Sequence, residues 1–208
     1  MNRRELLQCV AILASGTAVS KLGVALSDEQ LVYLAAAPGY ASRKVDFFTP
    51  AQRRIIAAMA ETIIPRTETP GAVDAGVPHF VELMVADWLD EHERTEFTTG
   101  LQDVATRIPR EFGQPFDQLD AQQQLAILET MEDAAADSPW YARGNIRRAF
   151  ISNAPFICMV KELTIWGFFT SEVGASQVLQ SNMMPMRFDG DVPLSPNESA
   201  WAPYMFLS

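Results

Sequence analysis

Apolar residues recur along this chain at helical spacing, and no useful run alternates apolar and polar at the two-residue period of a strand. The first firm element starts at Thr49-Pro50-Ala51-Gln52: an N-cap threonine, a proline at the first helical position and a glutamine at the third. Ile55, Ile56, Met59 and Ile63 then form its stripe, and Pro65 ends it by excluding the helical conformation at the residue before it. Residues 63–78 read as a turn-rich connection with Pro65, Pro70 and Pro78. Pro78 opens a second helix with Val81, Met84, Val85 and Trp88 on one face. A third is expected from about Glu93 to Ile108, striped by Phe97, Leu101, Val104 and Ile108 and closed by Pro109 and Gly113. Asp120, with Gln123 three residues on, caps a fourth, whose apolar positions are Leu125, Leu128 and Met131. The last helical region runs from Ser138-Pro139 to about Phe169, with Ile146, Phe150, Ile157, Val160 and Leu163 as its stripe. Pro155 predicts a kink or two abutting helices within it. The class predicted is all-α, an irregular bundle of about five helices.

Two stretches do not fit a simple bundle. Residues 161–174 end the last helix in Trp166-Gly167-Phe168-Phe169, and neighbouring positions on a helix face different directions. Such a corner is either a helix end buried on all sides by its own domain or a surface that also meets another chain. After it the helical period disappears. Residues 182–208 hold Pro185, Pro193, Pro196 and Pro203, and also Phe188, Trp201, Tyr204 and Phe206. A disordered tail should be poor in aromatics. We therefore read 182–208 as an extended strap lying along a surface, following a helical domain at 28–181.

Residues 1–27 read as a targeting segment. Arg3 and Arg4 stand before Leu6 and Leu7 and a short apolar run diluted by Ser15, Gly16 and Thr17, an arrangement that resembles a twin-arginine export signal. That route carries folded cargo, so the chain either holds a cofactor or escorts a protein that does. Residues 28–43 form a weakly amphipathic piece closed by Pro38-Gly39. The net charge of −10 argues against nucleic acid or an anionic membrane as the main partner, since both repel it. Cys9 and Cys158 are the only cysteines, too few for a disulfide framework.

No catalytic constellation is legible. There is no Gly-x-Gly-x-x-Gly fingerprint for a dinucleotide or flavin, no Cys-x-x-Cys-His for covalent haem and no Gly-x-Ser-x-Gly nucleophile elbow. His79 and His92 are the only histidines, and their spacing matches no metal motif. With Asp87, Asp90, Glu91 and Glu93 nearby, a solvated acidic face is the expected reading rather than a metal site.

Several stretches in order carry a resemblance. Residues 47–82 contain Ile-Ile-Pro, then Pro70-Gly71-Ala72, then Ala75-Gly76-Val77; residues 161–174 follow, and more weakly 185–193 and Trp201-Ala202. Over roughly residues 46–205 the chain resembles the small subunit, subunit 3 or gamma, of gluconate 2-dehydrogenases. Phe168-Phe169 stands where tyrosine is common in that family. The resemblance implies a non-catalytic partner that binds no cofactor or metal itself. It pairs with a large flavoprotein of the glucose–methanol–choline oxidoreductase type, which holds FAD and oxidises a sugar or sugar acid. Electrons pass on to a c-type cytochrome carrying haem. The small subunit is expected to aid folding and export of the flavoprotein to the periplasm. Trp166, Phe168, Phe169, Phe188, Trp201, Tyr204 and Phe206 are the expected contact residues, because buried aromatics dominate interface energetics. Two other readings stand beside this one: a free-standing export chaperone released after transport, and an independent enzyme with an unrecognised site near His79.

Overall fold

The structure is a computed structural model that describes residues 43–138, 154–180 and 198–200. Contacts divide the chain into two units. The larger, Val45–Ala202, contains every helix given below. Of the smaller, Met1–Lys44 with Pro203–Ser208, only Arg43 and Lys44 are described.

The described residues form an all-α bundle: α1 (Pro50–Ile63), α2 (Val77–Asp87), α3 (Glu91–Phe112), α4 (Ala121–Ala134) and α5 (Phe156–Thr170). A 3₁₀ turn, Phe116–Gln118, precedes α4, and a π-helical turn, Gly174–Val178, follows α5. No strand appears among these elements.

Local chemistry sets the helix starts. Thr49 and Gln52 form a reciprocal capping box at α1, and Asp120 and Gln123 form one at α4. Asp90 and Glu93 form a third at α3. Two of the four acidic residues weighed as histidine neighbours, Asp90 and Glu93, are therefore satisfying backbone amides, and α3 begins at Glu91 instead of Glu93. It also runs past Ile108. Pro109 lies inside the last turn, and the helix ends at Gly113, whose φ of 76° places it in the left-handed region that favours glycine. Pro109 offers no amide to the Ala105 carbonyl four residues back, a loss of one bond near the helix end, while burial of Ile108 holds the turn in place.

The core joins all five helices. Ile55, Ile56 and Met59 of α1, Val81 and Val85 of α2, Phe97, Leu101, Val104 and Ile108 of α3, and Ile157, Val160 and Leu163 of α5 are buried together. Phe48, just before α1, stacks on Phe97 at 6.0 Å between ring centroids. Phe97 in turn meets Phe156 edge-on at 5.1 Å. On α4 the buried stripe is Ile127 and Leu128, and Leu125, expected in the core, is exposed. The helix is rotated by Gln124, whose amide donates to the Phe116 and Leu119 carbonyls and whose oxygen accepts from Thr62 of α1. Pro155 is the N-cap of α5, so that helix starts afresh at Phe156; Ile146, Phe150 and the segment before them lie outside the described residues.

Candidate partner interface

Helix α5 is apolar on every side, and its low amphipathicity suits a helix buried all round. Its first turns fit that description. Ile157, Cys158, Met159 and Val160 are consecutive and all buried. Further on the pattern splits. Gly167 and Phe168 face inward, whereas Ile165, Trp166 and Phe169 are 37%, 43% and 40% exposed. Positions 162, 165 and 169 lie along one outward arc, buried at Glu162 and open at Ile165 and Phe169. The arc is thus covered within this chain over one half of the helix and uncovered over the other.

Two close approaches orient that end of α5. A Cβ on Gly167 would stand 2.7 Å from Cδ1 of Phe80, so the glycine lets α2 and α5 meet. Past the helix the chain folds back at Gly174, where a Cβ would stand 2.0 Å from the Phe168 carbonyl oxygen. Ser171 Oγ donates to that same carbonyl and accepts from the Gly174 amide at 2.9 Å. The tight return under Phe168 seals its side chain in the core, 1% exposed, with its ring edge-on to Phe169 at 5.2 Å. Of the three helix aromatics expected to meet a partner, Phe168 is therefore a core residue. Phe188, Trp201, Tyr204 and Phe206, and the export residues Arg3 and Arg4, lie outside the described residues. Within 182–208, the described stretch 198–200 runs beside Gln180, whose amide donates to the Ala200 carbonyl at 2.9 Å and whose side chain donates to that of Ser199 at 3.1 Å.

The connection between α1 and α2 is pinned from beneath by carboxylates. Glu61 accepts from the Arg66 and Val73 amides, and Asp74 accepts from the Gly71 amide and the Arg66 guanidinium. Gly71 lies too close to Glu61 to carry a side chain, its Cβ position being 2.4 Å from Oε1. An open cleft of about 440 Å³ lies between this loop and the π-helical turn, lined by Arg66, Thr67, Thr69, Asp74, Val173 and Gln177 among others.

A family model described as gluconate 2-dehydrogenase subunit 3 matches residues 50–190, more than half of the 208-residue chain. The chain belongs to that family. The match takes in the pinned loop and the whole of α5, and its description is that of one subunit of a dehydrogenase complex. No curated protein and no solved structure matches the chain significantly.

Among the described residues no group of three His, Cys, Asp or Glu side chains is placed to hold a metal ion. His79 is half-buried on α2, and His92 is exposed on α3. Among the described residues no helix is long and apolar enough to cross a membrane. Periodicity gave no sign of the ion pair at Glu82. This glutamate sits in the middle of α2 and is 3% exposed. Its Oε1 accepts from the amides of Phe47 and Phe48 and from Nη2 of Arg53, each at 2.8 Å, and its Oε2 accepts from Arg53 Nε at 2.8 Å. Burial pushes the Glu82 carboxyl up, but the Arg53 guanidinium and the two amides outweigh it and hold it below the usual glutamate value. The hydrogen bonds to Glu82 and then Asp46 hold the Arg53 guanidinium above its ordinary value. A lone Glu at a helical core position is the sole sequence signal of this arrangement.

Proposed function

We propose that the chain is the non-catalytic small subunit of a periplasmic, FAD-dependent sugar or sugar-acid dehydrogenase. Its large subunit is a flavoprotein of the glucose–methanol–choline type, and it assists that subunit's folding, twin-arginine export and stability. Family membership over residues 50–190 carries the reading. The half-covered arc of α5 supports it: exposed Ile165, Trp166 and Phe169 offer apolar and aromatic area of the kind that anchors subunit interfaces. Trp166 and Phe169 are then contact residues, joined by Phe188, Trp201, Tyr204 and Phe206 of the C-terminal strap. FAD belongs to the partner, and haem to a cytochrome subunit that takes the electrons.

The test is a pull-down of the tagged full-length chain from its native host, with an absorbance spectrum of the eluate. A stoichiometric larger partner with flavin bands is the expected result, and haem bands would add the cytochrome. A colourless chain eluting alone overturns the permanent-subunit reading in favour of a chaperone that leaves its client.

A further inference from the structure

Residues 45–48 belong to no helix, yet side chains of α1 and α2 hold them. The Phe47 and Phe48 amides are taken by Glu82, and Arg53 Nη2 reaches the Val45 carbonyl at 3.3 Å and Asp46 Oδ1 at 2.6 Å. Phe48 inserts into the core beside Phe97. Arg53 comes from α1 and Glu82 from α2, so both clamping side chains are in place only when those helices pack together. The tie spans 34 residues from Phe48 to Glu82, and a chain without the α1–α2 contact has no local substitute for it. The larger compact unit begins at Val45, the first residue the clamp holds.

We propose that Glu82 and Arg53 form a folding-gated latch on the root of the N-terminal segment. The latch holds residues 45–48 against the helices, and it opens as a local event that leaves the helices intact. Local openings of this kind occur at free energies below that of global unfolding. Here the opening breaks a small set of bonds to one carboxylate and one guanidinium and withdraws one core side chain. The contacts that form the latch all lie within residues 45–82.

Exposed Lys44 supplies the probe, because trypsin cuts after it only when the residues that follow can leave the surface. Where reclosing is faster than cleavage, the rate of cutting tracks the population of the open form. The full-length chain is digested briefly under native conditions, and mass spectrometry follows the product beginning at Val45. Glu82→Gln keeps the shape but removes the charge, and should speed cleavage after Lys44 by about tenfold or more, while helical circular dichroism stays unchanged and cleavage at arginines inside α3 stays far slower and more steeply dependent on added urea than the cut after Lys44. Arg53→Lys keeps a charge but loses the fork that reaches both Glu82 and Val45, and should speed the same cut by a smaller factor. Unchanged cleavage after Lys44 in folded variants overturns the latch. So does cleavage after Lys44 that is as slow and as steeply urea-dependent as cleavage inside α3, since the clamp would then open only with the global fold. If Glu82→Gln does not fold, Arg53→Lys and Asp46→Asn decide by the same readout.

Discussion

The Phe80 ring occupies the space that a side chain at Gly167 would need: Cδ1 lies 2.7 Å from the position of a Cβ there. Gly167→Ala therefore sets two effects against each other. Alanine favours a helix over glycine by about 1 kcal/mol. Overpacking a tight contact costs about 1–3 kcal/mol. The steric term should win, so the variant is expected to be destabilised in chemical denaturation. Phe80→Ala in the same chain should remove the clash, making the double mutant less unstable than the two single effects summed. Simple additivity would mean that Phe80 is not what excludes the side chain.

Adjacent Phe168 and Phe169 should respond in opposite ways. Phe168→Ala empties a sealed core position and should cost about 3–5 kcal/mol of stability. Phe169→Ala and Trp166→Ala remove half-exposed rings and should cost less than about 1 kcal/mol in the isolated chain. In the proposed complex the order reverses, with Trp166→Ala and Phe169→Ala weakening capture of the flavoprotein by more than about tenfold. Denaturation of the free chain and titration of the partner separate the two roles.

Acid should weaken the domain through Glu82. Its folded-state pKa lies below the ordinary value, so its contribution is fully present above the unfolded pKa of about 4.3 and is lost as pH falls through the lower folded value. Melting temperature measured from neutral pH downward should therefore fall in this window by more in the native chain than in Glu82→Gln. Parallel pH curves would show that Glu82 contributes no linkage. At neutral pH, Glu82→Gln should cost roughly 1.5–3 kcal/mol, the range for hydrogen bonds to charged groups.

Thr164 is wholly buried on α5, and its Oγ1 has no hydrogen-bond partner among the described residues. Thr164→Val keeps the shape and removes a hydroxyl whose desolvation costs about 1–3 kcal/mol when unsatisfied. The variant should unfold at higher denaturant concentration than the native chain. A loss of stability would mean that a water or a small rotation satisfies the hydroxyl.

Much of the helical framework was legible because its signals are local. Thr49 with Gln52, and Asp120 with Gln123, lie within one turn of each other, and the pairs announce the same helix starts that fold. Asp90 with Glu93 carried the same signal, obscured by the nearby histidines that suggested other uses for those carboxylates. Pro109 predicts a stop because the local rule is strong. Burial of Ile108 and the left-handed Gly113 moved the stop onward. Leu125 misled for a related reason: a period locates a stripe but not which neighbouring residue leads it, and Gln124 bonding to the preceding loop set the rotation of α4.

Sequence alone determined the helical class, the capped helix starts and the family, since these rest on residues close together or on motifs kept in order. Tertiary structure decided which way α5 faces. A helix apolar on every side has no preferred direction in its own pattern, and only Phe80 against Gly167 and the return at Gly174 turn Phe168 inward and Phe169 outward. It also decided the role of Glu82. A carboxylate in the middle of a helix becomes the anchor of residues 45–48 only when α1 brings Arg53 and the preceding amides to it from 29 to 35 residues away, a distance that no local pattern spans.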